Sequence, residues 1–161
     1  MIHIPCMSET SAMPLMSGKL ALTGHLPRPH EFELDELIRL PRHELGETQV
    51  NCFTGRPVVS AQSYAGARLV DVLDASGFSS QPRSRLKRCV VVARSLDGYQ
   101  AIFSWNELYN ATIGDAALIV YERDGRPLTD QVGPLSLLSA GDRQLGPRHL
   151  RHLQAVHVQL I

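Results

Sequence analysis

Apolar and polar residues alternate over Lys19-Leu-Ala-Leu-Thr-Gly24 and again over Glu47-Thr-Gln-Val-Asn-Cys52. A period of two predicts a strand with one buried face. Between these strands the spacing changes. Leu34, Leu37 and Ile38 fall at i, i+3 and i+4 behind Asp35 and Glu36. That predicts a short helix with its acids at the positive end of the helix dipole, stopped by Pro41. His25-Leu-Pro-Arg-Pro-His30 reads as a turn, since neither proline can donate to a ladder. Phe53 to Ala65, with the breakers Gly55 and Pro57, reads as a loop. Leu69, Val72 and Leu73 then mark a second short helix, closed by Gly77.

Beyond a basic loop at Pro82 to Arg88, Cys89-Val-Val-Val-Ala93 and Ala116 to Tyr121 are continuous apolar runs, the pattern of buried strands. Asp97-Gly98 and Arg123-Asp124-Gly125-Arg126 supply hairpin turns, with Tyr99 to Phe103 as the first returning strand. Asn106, Glu107 and Leu108 open a third short helix. Gly133-Pro134 breaks the chain before the apolar Leu135 to Leu138. Gln154 to Ile161 alternates as a closing strand, with Val156, Val158 and Leu160 on its apolar face. Roughly seven or eight strands and about three short helices result. The helices are too few and too short for a doubly wound fold, so the class predicted is α+β with mixed or antiparallel sheets. One domain at residues 19–161 follows a Met-, Ser- and Pro-rich tail at 1–18.

With 161 residues, 43% of them hydrophobic, the chain can bury a core without staples. Sixteen basic and sixteen acidic residues cancel, which argues against bulk attraction to nucleic acid or anionic membranes. Cys6, Cys52 and Cys89 are odd in number and widely spaced, not a disulfide framework. No apolar run approaches the 18 or so residues of a membrane span, and the first residues make a poor secretory leader. The expected location is the cytoplasm, or the periplasm if a leader has been removed.

Cys52 ends a predicted strand and opens a glycine-bearing loop, where a scaffold can display a thiolate as ligand or nucleophile; an inert buried cysteine is the competing reading. Arg56, four residues on, could lower its pKa or hold an anion. Cys89 heads an apolar run and reads as core; Cys6 receives no role. His3 and Cys6, or His149 and His152, would need further ligands from elsewhere in the chain to hold zinc. The basic runs Arg83, Arg85, Lys87, Arg88 and Arg143, Arg148, His149, Arg151, His152 are either phosphate sites or solvated loops. Trp105 and Tyr109, four apart, read as packing. Walker A, G-x-G-x-x-G and G-x-S-x-G patterns are missing, so ATP, NAD and α/β-hydrolase readings lack support.

Seven segments in order resemble the molybdopterin-binding domain of the sulfite oxidase family. They are Leu22-Thr-Gly-His-Leu-Pro27 with the Leu34-Asp-Glu-Leu37 helix; Val50-Asn-Cys52; Tyr64-Ala-Gly-Ala-Arg-Leu-Val-Asp-Val-Leu73 followed by Ala75-Ser76-Gly77; Leu96-Asp-Gly-Tyr99; Asp124-Gly125-Arg126-Pro127-Leu128; Gly133-Pro134; and Leu150-Arg-His-Leu-Gln-Ala-Val-His-Val158. The resemblance implies an oxidoreductase core holding a molybdenum–molybdopterin cofactor, with Cys52 as catalytic metal ligand and Arg56 and Arg151 as cofactor-binding residues. It also implies a small-molecule substrate and an electron partner such as a haem protein or a membrane subunit. The chain departs from the pattern in four ways. Tyr64 stands where the family has tryptophan, and His152 where its closing motif has an aromatic. Ser136 lies near where an arginine is expected. The chain has little room for the upstream histidine segment or the further dimerisation domain of larger members. A second reading therefore stands beside the enzyme: a binding or sensing module that keeps the fold without the cofactor.

Overall fold

The computed structural model describes residues 18–46, 48–51, 57–61, 63–128 and 133–161, with the backbone alone for 48–51 and 57–61. The strands are β1 (Leu20–Gly24), β2 (His30–Phe32), β3 (Arg42–Leu45), β4 (Thr48–Asn51), β5 (Pro57–Ala61), β6 (Tyr64–Arg68), β7 (Cys89–Ser95), β8 (Gln100–Ser104), β9 (Ala117–Arg123), β10 (Arg126–Pro127), β11 (Ser136–Ser139) and β12 (Leu153–Leu160). The helices are α1 (Leu34–Arg39), α2 (Leu69–Ala75), α3 (Arg83–Leu86) and α4 (Trp105–Tyr109). The class is α+β, as predicted. One sheet runs β2-β1-β12-β7-β8. A second runs β10-β9-β6-β3, with β11 also on β9, and β4 and β5 form a separate hairpin. Only the β1–β12 pair is parallel among the described pairings.

The main core fills the space between the two large sheets and the helices. Leu22, Val91, Phe103, Val156 and Val158 enter it from the first sheet, Ala67, Ile119, Tyr121 and Leu137 from the second, and Leu37, Leu73 and Phe78 from the helical segments. Burial of this apolar surface is the main stabilising term. The two continuous apolar runs turn out differently. In β9, Ala117, Ile119 and Tyr121 face the main core while Leu118 and Val120 join Tyr64 and Leu138 in a second cluster on the opposite face. The run is continuous because both faces are buried. In β7 the alternate residues Val90 and Val92 are only half-buried.

Several expectations need correcting. The predicted loop Phe53 to Ala65 contains β5 and the start of β6. Pro57 sits at the first position of its strand, where proline is tolerated. The predicted basic loop contains α3, which opens after Pro82 and buries Leu86. The strands β2, β3 and β10 went unpredicted: they are short, polar and lie at sheet edges, so they carry little alternating signal. The Asp124-Gly125 hairpin is as expected, with φ of 53° and 79°, the doubly positive geometry of a type I′ turn.

Gly66 explains one motif position. It lies in β6 beside a register shift against β9, and a Cβ there would sit 2.1 Å from the Ile119 carbonyl oxygen. No flexible side chain can yield at that point, because the obstacle is backbone. Gly66→Ala is expected to destabilise the fold by at least about 3 kcal/mol, read from urea unfolding. A loss under about 1 kcal/mol would show that the two strands can separate without cost.

Candidate functional site

The β7–β8 turn and the segment 146–152 are held side by side by two tethers. The Leu96 amide donates to the His152 carbonyl at 2.9 Å, and the Tyr99 hydroxyl donates to the Pro147 carbonyl at 2.6 Å. The turn itself is braced by Asp97, which accepts from the Ser95 hydroxyl and from the Tyr99 amide at 3.0 Å. Between the two segments opens a cleft of about 520 Å³, with Ser95, Asp97 and Tyr99 on one side and His149, Arg151 and His152 on the other. A second hollow of about 510 Å³ shares Leu96 and His152 with the first and reaches Lys19 and Glu31. His152 takes a φ of 50°. A Cβ on Gly133 would lie 2.6 Å from His152 Nδ1, so the Gly-Pro motif needs glycine to let this histidine close over the backbone.

Two arginines three residues apart have opposite fates. Arg148 makes a two-pronged pair with Asp142, at 2.8 Å from Nε and 2.7 Å from Nη2. Its Nη1 donates to the Ile102 carbonyl at 2.9 Å and lies 3.2 Å from Glu107. The guanidinium also stands 4.3 Å from the centre of the Phe103 ring, a favourable cation–π position. Glu107 is fixed in turn by a capping box with Ser104 at the start of α4, and Asp142 by the Ser139 hydroxyl. Arg151, by contrast, is exposed on the cleft and makes no hydrogen bond or ion pair with any described residue.

Two further groups lie within reach of that charge. His149 is pushed down to about 4, first by burial and then by the neighbouring positive charge of Arg151, so it is neutral at pH 7. The hydroxyl of Tyr64 is buried with no hydrogen-bond partner among the described residues. Burial raises its pKa, Arg123 and Arg151 oppose that rise, and Asp124 adds to it.

Of the residues singled out in the sequence, Arg151 lies on the cleft. Cys52 and Arg56 fall between β4 and β5, outside the described residues, as do His3 and Cys6. That hairpin is inserted between Leu45 and Tyr64, which pair across β3 and β6. Cys89 is core, as expected: it is 2% exposed, its thiol points at the Arg85 carbonyl, and burial raises its pKa. No group of three or more His, Cys, Asp or Glu stands ready for a metal among the described residues. Part of the first basic run serves the fold, with Arg83 over the Trp105 ring and Arg88 donating to the Ile161 carbonyl. Trp105 stacks on Tyr109 at 6.3 Å, the predicted packing. Sequence reasoning missed the Tyr64 hydroxyl and the carboxylates that engage Arg148. Asp142 and Glu107 lie in different elements, so no spacing announces them.

The neutral His149 makes stability depend on pH. In the unfolded chain a histidine ionises near pH 6.5. Between about pH 6.5 and 4 the unfolded state binds a proton that the folded state does not. The contribution is therefore complete above about pH 6.5 and declines as pH falls toward 4. His149→Gln should flatten this part of the stability curve by on the order of 2 kcal/mol in urea unfolding. Parallel curves for the two proteins would contradict the half-buried, neutral imidazole.

Comparison with known proteins agrees with this architecture. The sulfane dehydrogenase SoxCD from Paracoccus pantotrophus, a solved structure, superposes with a TM-score of 0.67 at 15% sequence identity over 90% of this chain. This chain spans 39% of the length of that one, and at such identity the likeness concerns the fold. No curated protein matches. Among the described residues no helix is long and apolar enough to cross a membrane. A family model described as the oxidoreductase molybdopterin binding domain matches residues 11–159, and the chain belongs to that sulfite oxidase-like family.

Proposed function

We propose that this domain binds a molybdenum–molybdopterin cofactor, with the Cys52 thiolate on the metal, and acts as an oxidoreductase. The observation that carries the reading is Arg151, an exposed guanidinium on a cleft that makes no ion pair with any described residue. A molybdopterin bears an anionic phosphate, and an unpaired arginine suits such a group through paired, charge-assisted hydrogen bonds. The described residues fit the cofactor in one further respect: the two adjoining hollows are of the size that ligand sites commonly have.

When bound, the cofactor supplies the change of oxidation state behind oxygen-atom or electron transfer. The chain's residues do the rest. Cys52 presents a soft thiolate ligand. Arg56 and Arg151 hold and orient the anionic part. His149 stays uncharged at neutral pH and so adds no further positive charge beside Arg151. Electrons pass to or from a separate carrier, such as a haem protein or a membrane subunit. One observation favours the cofactor-free binding module instead: Ser136, near the family's arginine position, is buried in β11, so no cation stands there.

Metal analysis decides between the two readings. Protein purified from cells that make the cofactor should carry about one molybdenum per chain. Cys52→Ser should lose the thiolate-to-metal absorption, and Arg151→Gln should retain about tenfold less cofactor after dialysis. Metal-free wild type from such cells would overturn the enzyme reading.

A further inference from the structure

The two ends of the first sheet carry different chemistry. Strand β1 runs parallel to β12, and β7 runs against both. The cleft therefore lies at one end, while the β1–β2 turn, residues 83–88 and the end of β12 meet at the other. The length of β7 sets the two ends about 20 Å apart. No Asp or Glu occurs in residues 19–30, 75–96 or 153–161, the stretches that build the far end. Arg28, Arg85 and Lys87 are exposed there and make no ion pair among the described residues. Arg28 sits over the corner after α2, its guanidinium nitrogens 3.2 Å from where a Cβ on Gly77 would be. Arg83 is held over the Trp105 ring and Arg88 against the Ile161 carbonyl, so the run is pinned at both ends with Arg85 and Lys87 between. The Asp74 carboxylate, at the end of α2, is taken up by the hydroxyls of Tyr109 and Ser79. A chain whose 16 basic and 16 acidic residues balance thus carries a surface of one sign away from its cleft.

We propose that this far end is a docking surface for a protein partner with an acidic face, whose carboxylates pair with Arg28, Arg85 and Lys87 while the cleft stays open. Arginine dominates the surface, and a guanidinium meets a carboxylate in a two-pronged geometry. Clustered charge of one sign also steers a partner of the other sign into register. Two other anionic surfaces fit less well. A single nucleic-acid strand calls for exposed aromatic rings on which its bases stack, and Trp105 is only 8% exposed. A lipid surface calls for an apolar face to sink into it, and Ile161 is the one large exposed hydrophobic residue at this end among the described residues. The docking surface does not depend on a bound cofactor.

The probe is a deca-glutamate peptide, titrated at low salt into the isotope-labelled full chain and followed by backbone amide NMR. Wild type should bind it with shifts at residue 28, at 83–88 and at the end of β12, and more weakly as salt is raised. Arg85→Gln/Lys87→Gln should bind about tenfold more weakly. Arg94→Gln/Arg126→Gln is the control. It removes the same charge from exposed residues elsewhere, at the cleft end of β7 and in β10, and should bind as wild type does. Arg85→Gln/Lys87→Gln should melt as wild type does, which separates lost binding from lost folding.

A wild type that ignores the peptide, or whose shifts gather at the cleft instead, overturns the proposal. So does an equal loss in the two double variants, which would make the attraction one of bulk charge. Mixed phosphatidylglycerol–phosphatidylcholine vesicles and a DNA duplex are the competing probes. Tighter binding of either through Arg85 and Lys87 than of the peptide would replace the acidic protein with a membrane or a nucleic acid and overturn the proposal as stated. Molybdenum content has no bearing on any of these outcomes, so the docking surface and the cofactor reading stand or fall separately.

Discussion

The ion pair between Arg148 and Asp142, extended to Glu107 and the Ile102 carbonyl, is the contact on which the rest of the site depends. It ties the segment leading into β12 to β8 and to the start of α4. Arg148 is only 18% exposed, so this pair is less screened by solvent than a surface one. It also occupies a carbonyl on β8, an edge strand that would otherwise offer its open groups to another chain. With Arg148 engaged there, the segment can present Arg151 to the cleft.

The two arginines show how one basic run divides its work. In the sequence they are neighbours in a single cationic stretch, equally suited to a phosphate. In the fold, one has its charge balanced by two carboxylates and the other pairs with none among the described residues. Arg151 is exposed, so water solvates it until an anion enters the cleft and pairs with it. The neutral His149 adds no charge of its own beside it.

Much of the fold was legible because long elements carry their burial as a period. The closing strand, the Asp-Gly hairpins and the helices α1, α2 and α4 all stand where pattern placed them. The strands that escaped notice are those whose existence depends on neighbours. Strand β3 pairs with β6, and β6 needs Gly66 because the β9 backbone presses against it. The site was less legible for the same reason. Arg151 could be named from its place in a motif, but its lack of a counter-charge follows from where Asp142 and Glu107 end up, and those contacts span separate elements.

The contrast between the two arginines is open to direct measurement by NMR of their Nε–Hε groups, with phosphate added stepwise to the cofactor-free chain. Arg148 should give a signal protected from exchange that phosphate leaves in place, and Arg151 a rapidly exchanging signal that shifts and becomes protected as the anion binds. A phosphate-dependent shift at Arg148, or an Arg151 signal that never moves, would contradict the account.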